Sequence, residues 1–135
     1  MNAQAQLQWT QGLQFVARAD KAPAIVMDNS EGGSGPSPMQ LVLMGVAGCT
    51  AMDVASILQK RRADLGGLQV NVSAERTDTH PRRYTRIELE YVVTGRGLKE
   101  KDVSRAIELS LTKYCSATAS LNAEVSSRFR IVERE

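Results

Sequence analysis

The chain has two thiols, Cys49 and Cys115, and one histidine, His80. A cysteine is either an apolar filler or, as its thiolate, a nucleophile toward peroxides and disulfides. Cys49 lies within the apolar run from Met39 to Leu58, with Asp53 four residues further on. In a helix that spacing puts the carboxylate one turn away on roughly the same face. A buried carboxylate must find partners, and beside a thiol its like charge opposes thiolate formation. Activating Cys49 therefore calls for a cation, and Arg18, Lys113 and Arg76 are the candidates. Cys115 sits in Lys113-Tyr-Cys-Ser-Ala-Thr118, just before an expected helix start, where positive partial charge lowers a thiol pKa. On these grounds either cysteine qualifies as the nucleophile.

Other chemistries find less support. Two cysteines and His80, at these spacings, match no zinc pattern, so no metal is expected. His80 precedes Pro81 and reads as an exposed loop residue, which argues against a Cys–His pair. Gly32-Gly-Ser-Gly35 precedes a helix but lacks the lysine of a phosphate-binding loop, and no cofactor is expected.

The elements that must position the thiols can be read from periodicity and punctuation. Gln6–Thr10 alternates polar and apolar residues, Gly12 marks a turn, and Leu13–Arg18 reads as the return strand, with Ala24–Met27 a third. Asp28–Gly35 is dense in turn residues. Ser37, Pro38 and Gln40 then form a helix start: an N-cap, a proline at the first helical position, and, at the third helical position, the partner that completes a capping box. The helix is apolar on nearly every face as far as Leu58, which predicts cover on all sides. Its end, Gln59-Lys-Arg-Arg62, places positive charge where the dipole favours it, and Gly66-Gly67 is the next expected break. Leu68, Val70, Val72 and Ala74 share one face of a strand, and Ile87, Leu89, Tyr91 and Val93 share one face of its expected hairpin partner, ended by Gly95-Arg-Gly97. Val103, Ile107, Ser110 or Leu111, and Tyr114 recur at helical spacing. Ser116 is an expected cap for a short Ala117–Leu121 helix, and Arg128–Val132 is the closing strand. Strands come in runs rather than in strict βαβ alternation, so the class is α+β.

Length and composition bound the rest. At 135 residues the chain is expected to be one domain, residues 1–135, and its 42% hydrophobic and 24% charged content is that of a folded globular protein. A formal charge of +2 gives no electrostatic case for nucleic acid. The start, Met-Asn-Ala-Gln-Ala-Gln-Leu, has no basic and apolar leader, so a cytoplasmic protein with reduced thiols is expected. Met39–Leu58 has about the length of a membrane span, roughly 20 residues, but Asp53 within it is costly in lipid, and it is read as a soluble helix without membrane contact. Gly45 and Gly48 each cost about 1 kcal/mol inside a helix, which implies close approach of another helix or chain, or room at the Cys49 sulfur for a small ligand.

Gly35-Pro-Ser-Pro-Met-Gln-Leu-Val-Leu-Met44, Gly48-Cys-Thr-Ala-Met-Asp-Val54 and Leu109-Ser-Leu-Thr-Lys-Tyr-Cys-Ser116 together resemble the OsmC/Ohr family, named for osmotically inducible protein C and organic hydroperoxide resistance protein. The resemblance implies an antiparallel sheet with a long buried central helix and an intertwined homodimer. It also implies roles. Cys49 matches the peroxidatic cysteine, which becomes a sulfenic acid, and Cys115 matches the resolving cysteine, which forms a disulfide with it. An external dithiol, a lipoylated protein in better-known members, then restores both thiols. Peroxide-reducing members activate the thiol with a glutamate and arginine pair; the glutamate position, ten residues before Cys49, holds Met39 here, and Arg18 is the candidate for the arginine. The chain thus resembles a less characterised OsmC-like subgroup, in which Asp53 is a candidate for the lost acid. Two functions follow: an organic-hydroperoxide reductase, or a redox-modulated binding protein for a small apolar ligand without useful turnover.

Overall fold

Ser37 and Gln40 close the start of the longest helix as the sequence predicts. The Gln40 backbone amide donates to Ser37 Oγ at 3.1 Å, and the Ser37 amide donates to Gln40 Oε1 at 2.9 Å. Pro38 occupies the first helical position of α1 (Pro38–Lys60). The computed structural model describes residues 1–135 and contains β1 (Gln6–Gln11), β2 (Gln14–Arg18), β3 (Ile25–Met27), α1, β4 (Asp64–Arg76), β5 (Tyr84–Arg96), α2 (Glu100–Leu109), a π-turn (Ser110–Tyr114), α3 (Ser116–Ala119) and β6 (Glu124–Glu133). The order is the expected α+β one. The chain divides into two compact units, Met1–Val42 and Leu43–Glu135, with the boundary inside α1.

The first unit holds the antiparallel sheet β1-β2-β3. Its hairpin turns at Gly12, whose φ of +54° is a conformation side chains resist. The loop from Asp28 is tied to that aspartate. Its Oδ2 accepts from the Ser34 hydroxyl at 2.6 Å, and its Oδ1 accepts from the Asn29 amide at 2.7 Å. Leu7, Trp9, Leu13 and Ile25 are exposed, with Trp9 at 61%.

The second unit holds the sheet β4-β5-β6. Alternation places Leu68, Val70, Val72 and Ala74 opposite Val93, Tyr91, Leu89 and Ile87, as the sequence predicts. β6 runs parallel to β5, from Arg86↔Glu124 to Gly95↔Glu133, so the expected antiparallel sheet is in fact mixed. A parallel neighbour requires a crossover, and α2, the π-turn and α3 supply it.

Several local expectations are corrected. Gly66-Gly67 does not break the chain; it lies inside β4 at a register shift between Leu65 and Gly67, and an ordered bulge absorbs it. Gly95 also lies within its strand, where a side chain would run into the Asp64 carbonyl. The helix expected to carry Tyr114 loses its period at Ser110 and widens into a π-turn that leaves Tyr114 exposed. Ser116 is the first residue of α3 rather than its cap; Cys115 holds the cap position.

The helix α1 departs most. Val46, Thr50, Val54 and Leu58 are buried, a spacing of four that returns to one side of the helix. Met44 and Met52 are 54% and 75% exposed, and a Cβ on Gly45 or Gly48 would meet nothing within 4 Å. The predicted all-round cover is therefore absent within the chain. By length and composition alone α1 would suffice to cross a membrane. Beyond it, Arg61 pairs with Asp102 of α2 at 3.2 Å.

Two outcomes follow from these contacts. Ser37→Ala removes one bond of the capping box and lowers the free energy of unfolding by about 1 kcal/mol, measured by denaturant unfolding. The Ser34 hydroxyl first, then the Asn29 amide, hold the Asp28 carboxyl below its ordinary range. That contribution is fully present above the unfolded carboxylate pKa of about 3.9 and is lost as pH falls through the lower native value. Acid titration by NMR is expected to loosen Asn29–Ser34 in this window, and Asp28→Asn to abolish the transition.

Candidate active site

The site begins with the buried stripe of α1. At its second position, Thr50 puts a hydroxyl among apolar neighbours, and a buried hydroxyl needs a partner. Thr50 Oγ1 lies 2.8 Å from the Tyr91 hydroxyl of β5 and 2.7 Å from Ser110 Oγ. Ser110 Oγ in turn donates to Asp53 Oδ2 at 2.8 Å. Each hydroxyl has one proton. Ser110 gives its proton to Asp53, so it accepts from Thr50; Thr50 has then spent its own and accepts from Tyr91. The chain therefore has one direction, Tyr91 to Thr50 to Ser110 to Asp53. Burial raises the Tyr91 phenol above its ordinary range, against the pull of Thr50, which keeps Tyr91 the donor at the far end.

The π-turn brings Cys115 to the same place. The Cys115 amide donates to the Ser110 carbonyl at 2.7 Å, a span of five residues rather than four. Cys49 and Asp53 project from α1 one turn apart. The two sulfurs and an Asp53 oxygen all lie within 4.8 Å of one another. Both thiols are free, Cys49 half-buried and Cys115 buried.

The thiols differ in setting. Burial pushes the Cys115 thiol above its ordinary range, the hydroxyl of Thr118 at 2.9 Å and its backbone pull it down, and Cys49 pushes it up again. The lowering expected from a helix start is outweighed, because α3 has only four residues and offers little dipole. Cys49 is the more accessible sulfur and Cys115 the more enclosed.

Among the expected site residues, the structure brings together Cys49, Cys115 and Asp53. Arg18 ends β2 in the first unit and is exposed, whereas the other three belong to the second. Arg76 lies over the Tyr84 ring and donates to the Arg82 carbonyl, and Lys113 lies over the Tyr114 ring. Asp53 takes part in none of the ion pairs; its partner is a hydroxyl. Two thiols and a carboxylate are donor types that suit soft cations, but they fall one short of a closed four-ligand zinc set, and His80 is exposed in the loop after β4.

Sequence reasoning missed Thr50, Tyr91, Ser110 and Thr118. A signal existed for two of them: Thr50 interrupts the apolar spacing Val46, Val54, Leu58, and Ser110 continues the buried face of Val103 and Ile107. A polar residue on a buried stripe announces a partner on another element.

The chain also matches known proteins. The model of the OsmC-like protein family covers residues 31–129. Protein YhfA of Escherichia coli K12 is 44% identical over 123 residues, covering 91% of this chain and 92% of its own. A hypothetical protein of Aquifex aeolicus shares 27% identity at a TM-score of 0.86, covering 100% of this chain and 99% of its own. The organic hydroperoxide resistance protein OhrB of Bacillus subtilis shares the fold at 14% identity and a TM-score of 0.63, covering 96% of this chain and 98% of its own. The chain belongs to the OsmC-like protein family.

Proposed function

We propose that the chain is a cytoplasmic thiol peroxidase acting on organic hydroperoxides. Membership of the OsmC/Ohr group carries a redox or peroxide-resistance role. The observation that supports the finer reading is the meeting of two free thiols and a carboxylate within 4.8 Å, one thiol accessible and the other buried. Cys49 sulfur attacks a peroxide oxygen; an S–O bond forms, the O–O bond breaks, and the alkoxide leaves with a proton as the alcohol. The Cys49 sulfenic acid then condenses with Cys115 to a disulfide and water. An external dithiol, such as a lipoylated protein, returns both thiols by exchange. The apolar run around Cys49 favours an organic substrate over hydrogen peroxide.

The second reading is a redox-modulated binding protein for a small apolar ligand. It is favoured by Met39 at the glutamate position and by the absence of any ion pair to Asp53. Titrating the reduced protein with tert-butyl hydroperoxide separates the two. Near-stoichiometric loss of both thiols and a mass lower by two hydrogens are expected, with turnover when a dithiol is added. Persistence of both thiols at modest excess sinks the peroxidase reading.

The partner that completes the fold is proposed to be a second copy of the chain. Met44, Met52 and the bare Gly45 and Gly48 give α1 an apolar face with no cover in the chain, and Leu7, Trp9 and Leu13 leave the first sheet in the same condition. An apolar sheet face has to be buried against another element. The α1 stripe packed on its own sheet, and Asp53 within the helix, favour protein over lipid as the occupant. Sedimentation is expected to give a dimer that Met52→Asp weakens; a monomeric wild type at micromolar concentration contradicts it.

A further inference from the structure

The hydroxyl chain ends on the one carboxylate beside both sulfurs. Its direction matters. Asp53 Oδ2 receives the Ser110 proton, so that oxygen is committed, and Oδ1 is the one left to take a proton. Taking a proton on Oδ2 and donating it to Ser110 would reverse every bond in the chain and leave the buried Tyr91 hydroxyl in search of a new acceptor.

The second half of the cycle needs a proton acceptor. Cys115 is the buried thiol, and its setting favours the protonated, non-nucleophilic form. The titratable groups that face it are Cys49 and Asp53 from α1 and Tyr91 from β5; Lys113, two residues away, is held over the Tyr114 ring. Tyr91 has its proton committed to Thr50 and is no base. Once Cys49 is oxidised it carries no thiolate, which leaves the Asp53 carboxylate.

We propose that Asp53 accepts the Cys115 proton as the Cys115 sulfur attacks oxidised Cys49, with Ser110, Thr50 and Tyr91 as positioning residues that hold its other oxygen. This rests on the peroxidase reading for its place in a cycle. The step balances: the Cys115 S–H proton passes to the Asp53 carboxylate, an S–S bond forms, and the Cys49 S–O bond breaks. Its electron pair leaves on hydroxide, which collects the proton from Asp53 as water. The carboxylate thus serves the step that follows oxidation of Cys49.

The test needs no peroxide. One equivalent of dithiobis-nitrobenzoate charges the more accessible Cys49 as a mixed disulfide and releases one coloured thiolate. Attack by Cys115 on Cys49 then releases the second, so the slow phase of colour reports Cys115 alone. Asp53→Asn is expected to leave the first release unslowed and to slow the second at least about tenfold near neutral pH, a floor below the roughly 10²–10⁴-fold that a general base typically supplies. The variant's second phase should keep climbing with pH where the wild type has levelled off. Tyr91→Phe, which keeps the ring and removes the terminal donor, should slow the second phase by a smaller factor. Superimposed second-phase rates and pH profiles for wild type and Asp53→Asn overturn the proposal, and so does equal slowing of both releases. If Asp53→Asn does not fold, Ser110→Ala carries the same comparison, with a selective loss in the second phase expected and an unchanged second phase fatal. A wild type that completes both releases but keeps its thiols in hydroperoxide refutes the peroxidase reading and leaves the role of Asp53 to be decided by the same colour phases.

Discussion

Ser110 is the residue on which the site depends. Its hydroxyl accepts from Thr50 and donates to Asp53, and its carbonyl accepts the Cys115 amide. One buried residue therefore fixes the carboxylate through its side chain and the second thiol through its backbone. Deleting that hydroxyl would leave the Thr50 donor unpaired at a buried position, a penalty of about 1–3 kcal/mol. The π-turn is the geometric counterpart. A regular α-helix pairs each amide with the fourth residue back, and the wider turn instead delivers Cys115 five residues after Ser110, at the point where the chain leaves the helix.

The two thiols have unequal environments for a reason of topology. Cys49 belongs to the middle of α1, close to the side of that helix on which Met44, Met52 and two glycines leave open space, whereas Cys115 ends a turn tucked among Ser110, Thr118 and α1. A family-type activation by glutamate and arginine cannot be built with Met39. The polar group beside the sulfurs is instead Asp53, held by the Ser110 hydroxyl rather than by a cation. The Ser110 hydroxyl holds one carboxylate oxygen in place and adds no positive charge beside the sulfurs.

Much of this was legible in the sequence. Ser37, Pro38 and Gln40 announced the start of α1, and the period of two placed Ile87, Leu89, Tyr91 and Val93 on one face. Cys49, Asp53 and Cys115 were readable as candidates from residue type and spacing. The hydroxyl chain was not, because it joins residues 41 and 60 positions apart and depends on which faces meet. The π-turn was hidden because apolar spacing continues past Ser110 to Tyr114 while the backbone does not follow it. Gly66-Gly67 misled because glycine serves a bulge as readily as a turn. The cover expected on every side of α1 is not met within the chain, because an apolar run reports composition and not which faces meet.

The parallel pairing of β6 with β5 has a consequence for oxidation. Ten residue pairs run without a register shift from Arg86↔Glu124 to Gly95↔Glu133, so the crossover between these strands is anchored at both ends. Cys115 rides on that crossover, with no covalent link to α1 while the thiols are reduced. A Cys49–Cys115 bond would turn a segment clamped at two points into one clamped at three and close a loop of 66 residues (115 minus 49). Restricting the unfolded chain in this way is worth about 4 kcal/mol in the chain-entropy picture. Resistance to heat and proteolysis would then itself record the redox state of the pair, even where no spectroscopic label marks it.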